Sequence, residues 1–295
     1  MTREEHEPVA VLGIGTMGHG MAASALRARI PTTVWNRSQE STRDLAELGA
    51  EVAPTAAGAA RSAAIVITMV TDADAVISIV RDEGVLTALA PGAILVQMST
   101  IGVAGIERVA AMVAAERPDV ILLDAPVSGS KDPAEHGQLT IFASGPDDAR
   151  PRVTPLFDAL GQRTIWAGNA GTGTRLKLVA NTWLAFAAEA VAASVALAHG
   201  LGLETERVVD ALEGNPLMSP WQEAKLHRIA NGDFSAQFAL SLALKDVRLA
   251  QQAADDRLRT LARLADEWQH AVDLGFGHQD VTVVTRTLEQ KWGER

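Results

Sequence analysis

The chain contains no cysteine, which excludes thiol nucleophiles, disulfide frameworks and cysteine-ligated metals. It contains no tyrosine, so no mechanism here uses a phenol as proton donor. Basic residues are in deficit, with 26 Lys+Arg against 36 Asp+Glu and a formal net charge of −10. A phosphate-backbone binder needs a dense basic face, so nucleic acid is not an expected partner. The seven histidines show no HxxH or HxxxH spacing, and no metal site is expected. The opening stretch MTREEHEPVA lacks the apolar core of a signal sequence, which predicts a cytoplasmic protein. What is present is 295 residues, 47% hydrophobic and 21% charged, a soluble globular balance with room for two domains.

One segment imitates a membrane span. Leu178–Ala198 carries a single charge, Glu189, and its length would cross a bilayer. The run is mostly alanine and includes Asn181 and Ser194. A helix that is apolar all round also suits burial in a large protein or an oligomer. A core or interface helix is expected, with no membrane partner.

The first 165 or so residues alternate β-branched runs with helical ones. Strands are expected at Val9–Leu12, Thr32–Trp35, Ala64–Met69, Ala93–Met98, Val120–Asp124, Leu139–Ala143 and Arg163–Trp166. Helical stretches such as Met17–Ala28, Gln39–Leu48, Ala73–Val80 and Gly102–Ala115 lie between them. This alternation predicts an α/β fold with a parallel, doubly wound sheet covered on both faces. From Gly171 onward only helical patterns remain, at 174–199, 205–213, 221–230, 236–254, 257–274 and 279–291. The expected organisation is a nucleotide-binding domain over 1–168 and an all-α domain over 169–295, joined by a long interdomain helix at 169–199.

Val9–Leu12 runs into Gly13-Ile14-Gly15-Thr16-Met17-Gly18 and then into a helical pattern. In such a loop the first glycine makes the tight turn and the second lets backbone approach a pyrophosphate. The third allows close helix–strand packing, and the helix N-terminus attracts phosphate. A glycine turn that only packs a helix gives a similar string, but the strand before and the helix after favour a dinucleotide. An NAD site usually places Asp or Glu about 20 residues further on. Here Val34-Trp-Asn36-Arg37-Ser38 stands at that place. Arg37 suits a 2′-phosphate through charge-assisted hydrogen bonds, with Asn36 and Ser38 as further donors. NADP(H) is therefore the expected cofactor; a solvated turn arginine is the alternative.

With Gly13-Ile-Gly-Thr-Met-Gly-His-Gly-Met21 and Val34-Trp-Asn-Arg-Ser38, nearly the whole chain resembles the β-hydroxyacid dehydrogenases. That family includes 3-hydroxyisobutyrate dehydrogenases, tartronate semialdehyde reductases and glyoxylate/succinic semialdehyde reductases. Asp124-Ala-Pro-Val-Ser-Gly-Ser130 resembles the family's substrate loop, and Lys131-Asp-Pro-Ala-Glu-His-Gly-Gln-Leu139 is closest to the glyoxylate/succinic semialdehyde branch. Gly171-Thr-Gly-Thr-Arg-Leu-Lys177-Leu-Val-Ala-Asn181 resembles the catalytic segment. Phe238 with Leu244-Lys-Asp-Val-Arg-Leu-Ala250 resembles a cofactor-and-substrate contact helix, and Gly275-Phe-Gly-His-Gln-Asp280 the C-terminal motif. The resemblance implies a Rossmann-type domain of the 6-phosphogluconate dehydrogenase kind, an all-α domain, and a homodimer or homotetramer. The chain departs from the family pattern at Arg29, where a glycine normally ends the first helix. It departs again at Gln97 in place of Asp, at Ile101-Gly-Val-Ala without the usual proline, and at Ser130 in place of the second glycine of the loop.

Reduction of an aldehyde needs a hydride donor, a hold on the substrate and a proton for the developing alkoxide. With no metal expected, a side chain must supply the proton, and Lys177 is the candidate. It stands in the first turns of a long helix, where the dipole and partial burial both lower an ammonium pKa. Asn181 is four residues on and shares its face. Ser128, Gly129 and Ser130 follow a strand at the carboxyl edge of the sheet, where open α/β folds bind ligands, and suit a substrate carboxylate. The resemblance places Thr100 near the nicotinamide, Met69, Val70 and Thr71 near its ribose, Lys245 on cofactor and Asp246 on the substrate side. Lys245 and Asp246 are expected to point about 100° apart on a helix and so not to share one task. Phe238, two turns before Asp246, either walls the pocket or is plain core.

The expected activity is thus NADPH-dependent reduction of a small, carboxylate-bearing aldehyde, or the reverse. An imine reductase shares this architecture, but it usually carries Asp or Tyr where Lys177 stands and lacks the Pro-Val-Ser-Gly loop. A module that only binds nucleotide or oligomerises would tolerate loss of the lysine, which this chain keeps.

Overall fold

The computed structural model describes residues 6–293, with side chains described only as far as 290. The first five residues, which belong to the stretch read as lacking a signal core, lie outside it. The chain divides into two compact units, Met1–Lys177 and Leu178–Arg295.

In the first unit a six-stranded parallel sheet is ordered β3-β2-β1-β4-β5-β6. Its strands are β1 (Val9–Leu12), β2 (Thr32–Trp35), β3 (Glu51–Val52), β4 (Ile65–Thr68), β5 (Ile94–Gln97) and β6 (Ile121–Asp124). Between them run α1 (Thr16–Arg27), α2 (Arg43–Glu47), α3 (Ala56–Arg61), α4 (Ala73–Ile77), α5 (Val85–Ala88) and α6 (Gly102–Glu116). Alternate strand residues face opposite sides, and both sides are apolar. Val9, Val11, Ile65, Ile67, Ile94 and Val96 belong to one buried cluster with Met21, Ala22 and Ala25 of α1. Ala10, Leu12, Val66 and Leu95 belong to another with α3 to α6. A parallel sheet covered on both faces follows directly from strands with no polar side.

Two expected strands of that sheet are elsewhere. After β6, Pro126 carries no N–H for a ladder, and the chain turns into β7 (Val127–Ser128), followed by α7 (Lys131–Glu135). The run at Leu139–Ala143 is β8, antiparallel to β7 and, across α8 (Arg150–Leu160), parallel to β9 (Gly161–Trp166). These three form a separate sheet, tied to the end of β6 by a single bridge between Asp124 and Ser144. The segment expected as one helix at Ala73–Val80 is α4 followed by a wide π turn over Ser78–Asp82.

A 29-residue helix, α9 (Thr172–Gly200), begins in the first unit and continues into the second. The second unit adds α10 (Thr205–Leu212), α11 (Pro220–Ala230), α12 (Leu240–Ala253), α13 (Arg259–Asp273) and α14 (Val284–Gly293). Val191, Val195 and Ala198 of α9 share a buried cluster with Val208, Leu226 and Ile229. α11 starts on a reciprocal cap between Ser219 and Gln222, with Pro220 in its first turn, the arrangement that satisfies otherwise unpaired helix N–H groups. The pattern at 236–254 yields a helix only from Leu240, because the chain around Ala239 bridges to Asp280, with backbone bonds from Val281 to Phe238 and from Leu240 to Gln279. Phe238 is therefore not on the same helix as Asp246, contrary to the expectation from spacing. The pattern at 279–291 likewise opens as a short 3-10 turn at Val281–Val283, capped by Asp280, before α14 begins.

By length and mean hydropathy (1.5) α9 passes for a membrane span. Its one central charge is nevertheless engaged inside the unit: the buried Trp268 of α13 donates its indole N–H to Glu189 at 2.8 Å.

Candidate active site

The glycine loop between β1 and α1 separates its glycines by function. Gly13 has φ +99°, and a Cβ there would meet the Met69 carbonyl oxygen at 2.4 Å. A Cβ on Gly18 would meet the Gly13 carbonyl oxygen at 1.9 Å. These two are demanded by the fold itself. Around Gly15 nothing lies within 4 Å, so its bareness serves no internal contact and leaves open backbone at the start of a helix. No side chain caps α1, and the N–H groups of its first turn lack helical partners. The arrangement fits a bound pyrophosphate.

At the end of β2, Asn36 accepts from the Ile14 N–H at 3.0 Å and donates to the Ser38 carbonyl and the Ser41 hydroxyl. Its carboxamide braces the glycine loop against the next turn, in addition to any part in holding phosphate. Arg37 and Ser38 are exposed beside it. Met69 and Val70 are half-buried after β4, and Ser99 holds the Val70 N–H at 2.8 Å. Thr71 is exposed and Thr100 half-buried. Gln97, which replaces the expected Asp, is buried and bonds the Ser99 N–H and carbonyl, shaping the turn before Thr100.

The loop at Ser128, Gly129 and Ser130 leaves β7 and enters α7, with Gly129 at φ +140°. Its helix lies directly on α1. A Cβ on Gly20 would come within 2.8 Å of the Glu135 nitrogen. The Ser24 hydroxyl donates to the Ala134 carbonyl at 2.9 Å, and Arg27 donates to the carbonyl of Glu135. The cofactor helix thus forms the seat of the loop expected to hold substrate.

Lys177 is only 7% exposed and stands in the second turn of α9. Asn181, one turn on and also buried, donates to the Asp246 carboxylate at 2.5 Å. The Lys245 ammonium lies 3.2 Å from the other Asp246 oxygen without completing a hydrogen bond to it. Lys245 and Asp246, expected to point about 100° apart on the helix, nevertheless form an ion pair. Phe238 is half-buried, its backbone N–H held by Asp280 at 3.2 Å.

Two groups escaped the reading of the sequence. Asp124, fully buried at the end of β6, accepts from the Thr174 N–H and hydroxyl, each at 2.7 Å. Burial pushes its carboxyl above the usual range, against the opposing effect of donors from Thr174, Ser144 and Gln97. Lys225, 1% exposed, donates to both Asp280 oxygens at 2.8 Å and to Gln237 at 3.0 Å. Burial works against the Asp280 charge, yet Lys225 and the N–H groups of Phe238 and Gln237 hold that carboxyl below its usual range. Both aspartates lie inside motifs quoted above, but nothing in a string of residues reveals a partner 50 or 55 positions away.

Comparison with known proteins agrees with this layout. Residues 8–168 match the NAD binding domain of 6-phosphogluconate dehydrogenase, and residues 171–288 match a separate family model described as the NAD-binding part of NADP-dependent 3-hydroxyisobutyrate dehydrogenase. Glyoxylate/succinic semialdehyde reductase 1 of Arabidopsis thaliana is 30% identical over 95% of this chain and 98% of its own. The NAD-dependent L-serine dehydrogenase of Pseudomonas aeruginosa is 30% identical over 97% and 99%. The structure of a 3-hydroxyisobutyrate dehydrogenase from Salmonella typhimurium superposes with a TM-score of 0.86 at 26% identity, covering 95% of this chain and 99% of that one. A likeness that runs nearly the whole length of this chain and of its relatives makes this chain a member of the β-hydroxyacid dehydrogenase family.

Proposed function

We propose that this nicotinamide-dependent oxidoreductase uses NADP(H) to reduce a small carboxylate-bearing aldehyde, of the semialdehyde or glyoxylate type, to the hydroxyacid, or runs the reverse reaction. The observation that carries the reading is Lys177, a lysine buried in the second turn of a helix whose first turn is held by side chains. Such an amine has one evident use beside a developing alkoxide: its ammonium gives the carbonyl oxygen a proton, and its neutral form takes the hydroxyl proton in reverse. General acid help of this kind is worth roughly 10²–10⁴-fold. Asn181, its amide oriented by Asp246, steadies the same oxygen or the amine. The N–H and hydroxyl groups of Ser128, Gly129 and Ser130 take the substrate carboxylate. Phe238 and Asp246 are assigned to the substrate, and Lys245 to the cofactor together with the glycine loop, Asn36 to Ser38, Met69 to Thr71 and Thr100. When bound, the nicotinamide supplies the hydride to the substrate carbon or accepts it.

Residues 1–168 are assigned to the cofactor and 169–295 to substrate and self-association, with 169–199 as the connecting helix. α9 exposes Val179, Trp183, Phe186 and Leu197, a face suited to a second copy of the chain in a homodimer or homotetramer. Light scattering without detergent should give a mass of at least two subunits at micromolar concentration.

The deciding experiment is an NADPH-consumption screen over small aldehydes and keto acids with and without a carboxylate, repeated with NADH. Preference for NADPH and for carboxylate-bearing substrates is expected, and Arg37→Asp should reverse the cofactor preference by placing a negative charge where the 2′-phosphate sits. Equal use of both cofactors, or the NAD preference named for the serine dehydrogenase relative, defeats the NADP assignment.

A further inference from the structure

We infer that Asp124 is a positioning residue for the proton donor, holding the Lys177 helix in register with the root of the substrate loop. This rests on the reading of Lys177 as that donor. The first N–H groups of a helix have no partners within it, and in α9 they are taken in sequence. Asn169 accepts from Thr172 at 3.1 Å, Ser144 from Gly173 at 2.9 Å, and Asp124 from Thr174 at 2.7 Å. Gly173 has no room for a side chain: a Cβ would sit 2.1 Å from the Phe142 carbonyl oxygen and 2.7 Å from that of Asp124.

An ordinary helix cap comes from the residue just before the helix. Here the carboxylate comes from 50 residues earlier, and it grips Thr174 twice, Oδ2 on the N–H and Oδ1 on the hydroxyl, each at 2.7 Å. Two contacts on one residue fix the rotation of the helix about its axis as well as its starting point. Lys177 is three residues on, on the neighbouring position of the next turn, so its direction inherits that rotation. On the other side, the Asp124 backbone is paired both ways with Ser144, at 2.9 and 2.8 Å. Four residues later the chain reaches Ser128. One buried side chain therefore sets two parts of the machinery against each other: the amine, and the loop assigned to the substrate carboxylate.

The test is made on the full-length enzyme. Asp124→Asn keeps one oxygen for the Thr174 N–H, forces the hydroxyl to accept instead of donate, and removes the charge that strengthens both bonds. Turnover should fall about 10- to 100-fold, the scale of an ångström-sized misplacement, with the NADPH dissociation constant unchanged. In a double-mutant cycle, adding D124N to K177A should cost nothing further in residual turnover. Thr174→Val should lose turnover in the same direction, and Thr174→Ser should keep it. Unchanged turnover in folded D124N, a full additional loss on the K177A background, or cofactor affinity that falls in step with kcat overturns the inference. If D124N does not fold, equal turnover in T174V and T174S overturns it. If K177A itself keeps its turnover, the proton-donor reading fails instead, and the two failures are thereby told apart.

Discussion

The two units hide their apolar surface in different ways. Among the described residues of the first unit, Leu48 is the one large apolar side chain that stands exposed. The second unit exposes Val179, Trp183, Leu201, Leu217 and others, with Trp183 at 80% and Leu217 at 90%. Its interior, conversely, holds the Lys225–Asp280 salt bridge at 1% and 0% exposure. The first unit hides its apolar side chains within its own two layers, whereas the second leaves part of its apolar surface open, which is what the proposal of self-association rests on.

The largest effect expected is on chemistry. Lys177→Ala should lower kcat by about 10²–10⁴-fold while leaving NADPH binding and the melting of both units as they were. More than a tenth of the turnover remaining on the best substrate would mean that another acid serves. Next is the buried pair. Lys225→Met leaves Asp280 charged without its counter-ion, and loss of one partner of such a pair costs about 3–5 kcal/mol. Denaturation followed by tryptophan fluorescence should show the second unit, with Trp221 and Trp268, unfolding ahead of the first, with Trp35 and Trp166. The same pair predicts an acid response. Because the Asp280 carboxyl is held below its ordinary value of 3.8, its contribution is complete above that pH and is lost as pH falls through the lower, folded value. In the Lys225→Met variant this acid-labile share should shrink. Coincident unfolding of both units in the variant would deny that the pair belongs to the second unit alone.

On the surface, the self-association proposed through α9 predicts that Trp183→Glu costs about 2 kcal/mol or more of subunit affinity and shifts the light-scattering mass towards the monomer. An unaltered mass would move the interface away from α9. The smallest effect belongs to the sealed unit. Arg29 closes α1 in the left-handed region, at φ 60°, where a non-glycine side chain costs roughly 1–2 kcal/mol. Arg29→Gly should therefore stabilise the first unit by about 0.5–1 kcal/mol, after the extra freedom glycine has in the unfolded chain. Equal or lower stability would show that Arg29 has a compensating contact.

Much of this was legible in the residues. The strands β1, β2 and β8 stand at their expected bounds, because β-branched runs between turn signals leave little choice. The long helix and the glycine loop are equally plain, and Arg29 marks its own strain by standing where a glycine is usual. The short strand Glu51–Val52 has no such signal: two residues, one of them charged, pair only because β2 offers a free edge. The separation of β8 and β9 into their own sheet depends on the turn at Pro126, which periodicity does not register. The candidate residues can be named from the sequence, but their partnerships cannot. Asp124 with Thr174, Asn181 with Asp246, and Lys225 with Asp280 are each brought together by tertiary packing across long stretches of chain. The Lys245–Asp246 pair is likewise not legible, because helical angles describe where a Cβ points, while a four-carbon stem can still reach its neighbour.

The seat that α1 provides for α7 sets a rule for re-engineering the enzyme. A substrate loop grafted from a relative brings its own short helix, and that helix needs bare backbone at Gly20 and an acceptor for Ser24. Transplanting 128–136 alone would set a foreign ridge on a groove cut for another. Residues 13–27 and 128–136 are accordingly packed as one unit, and an exchange of the second segment is expected to need the first with it.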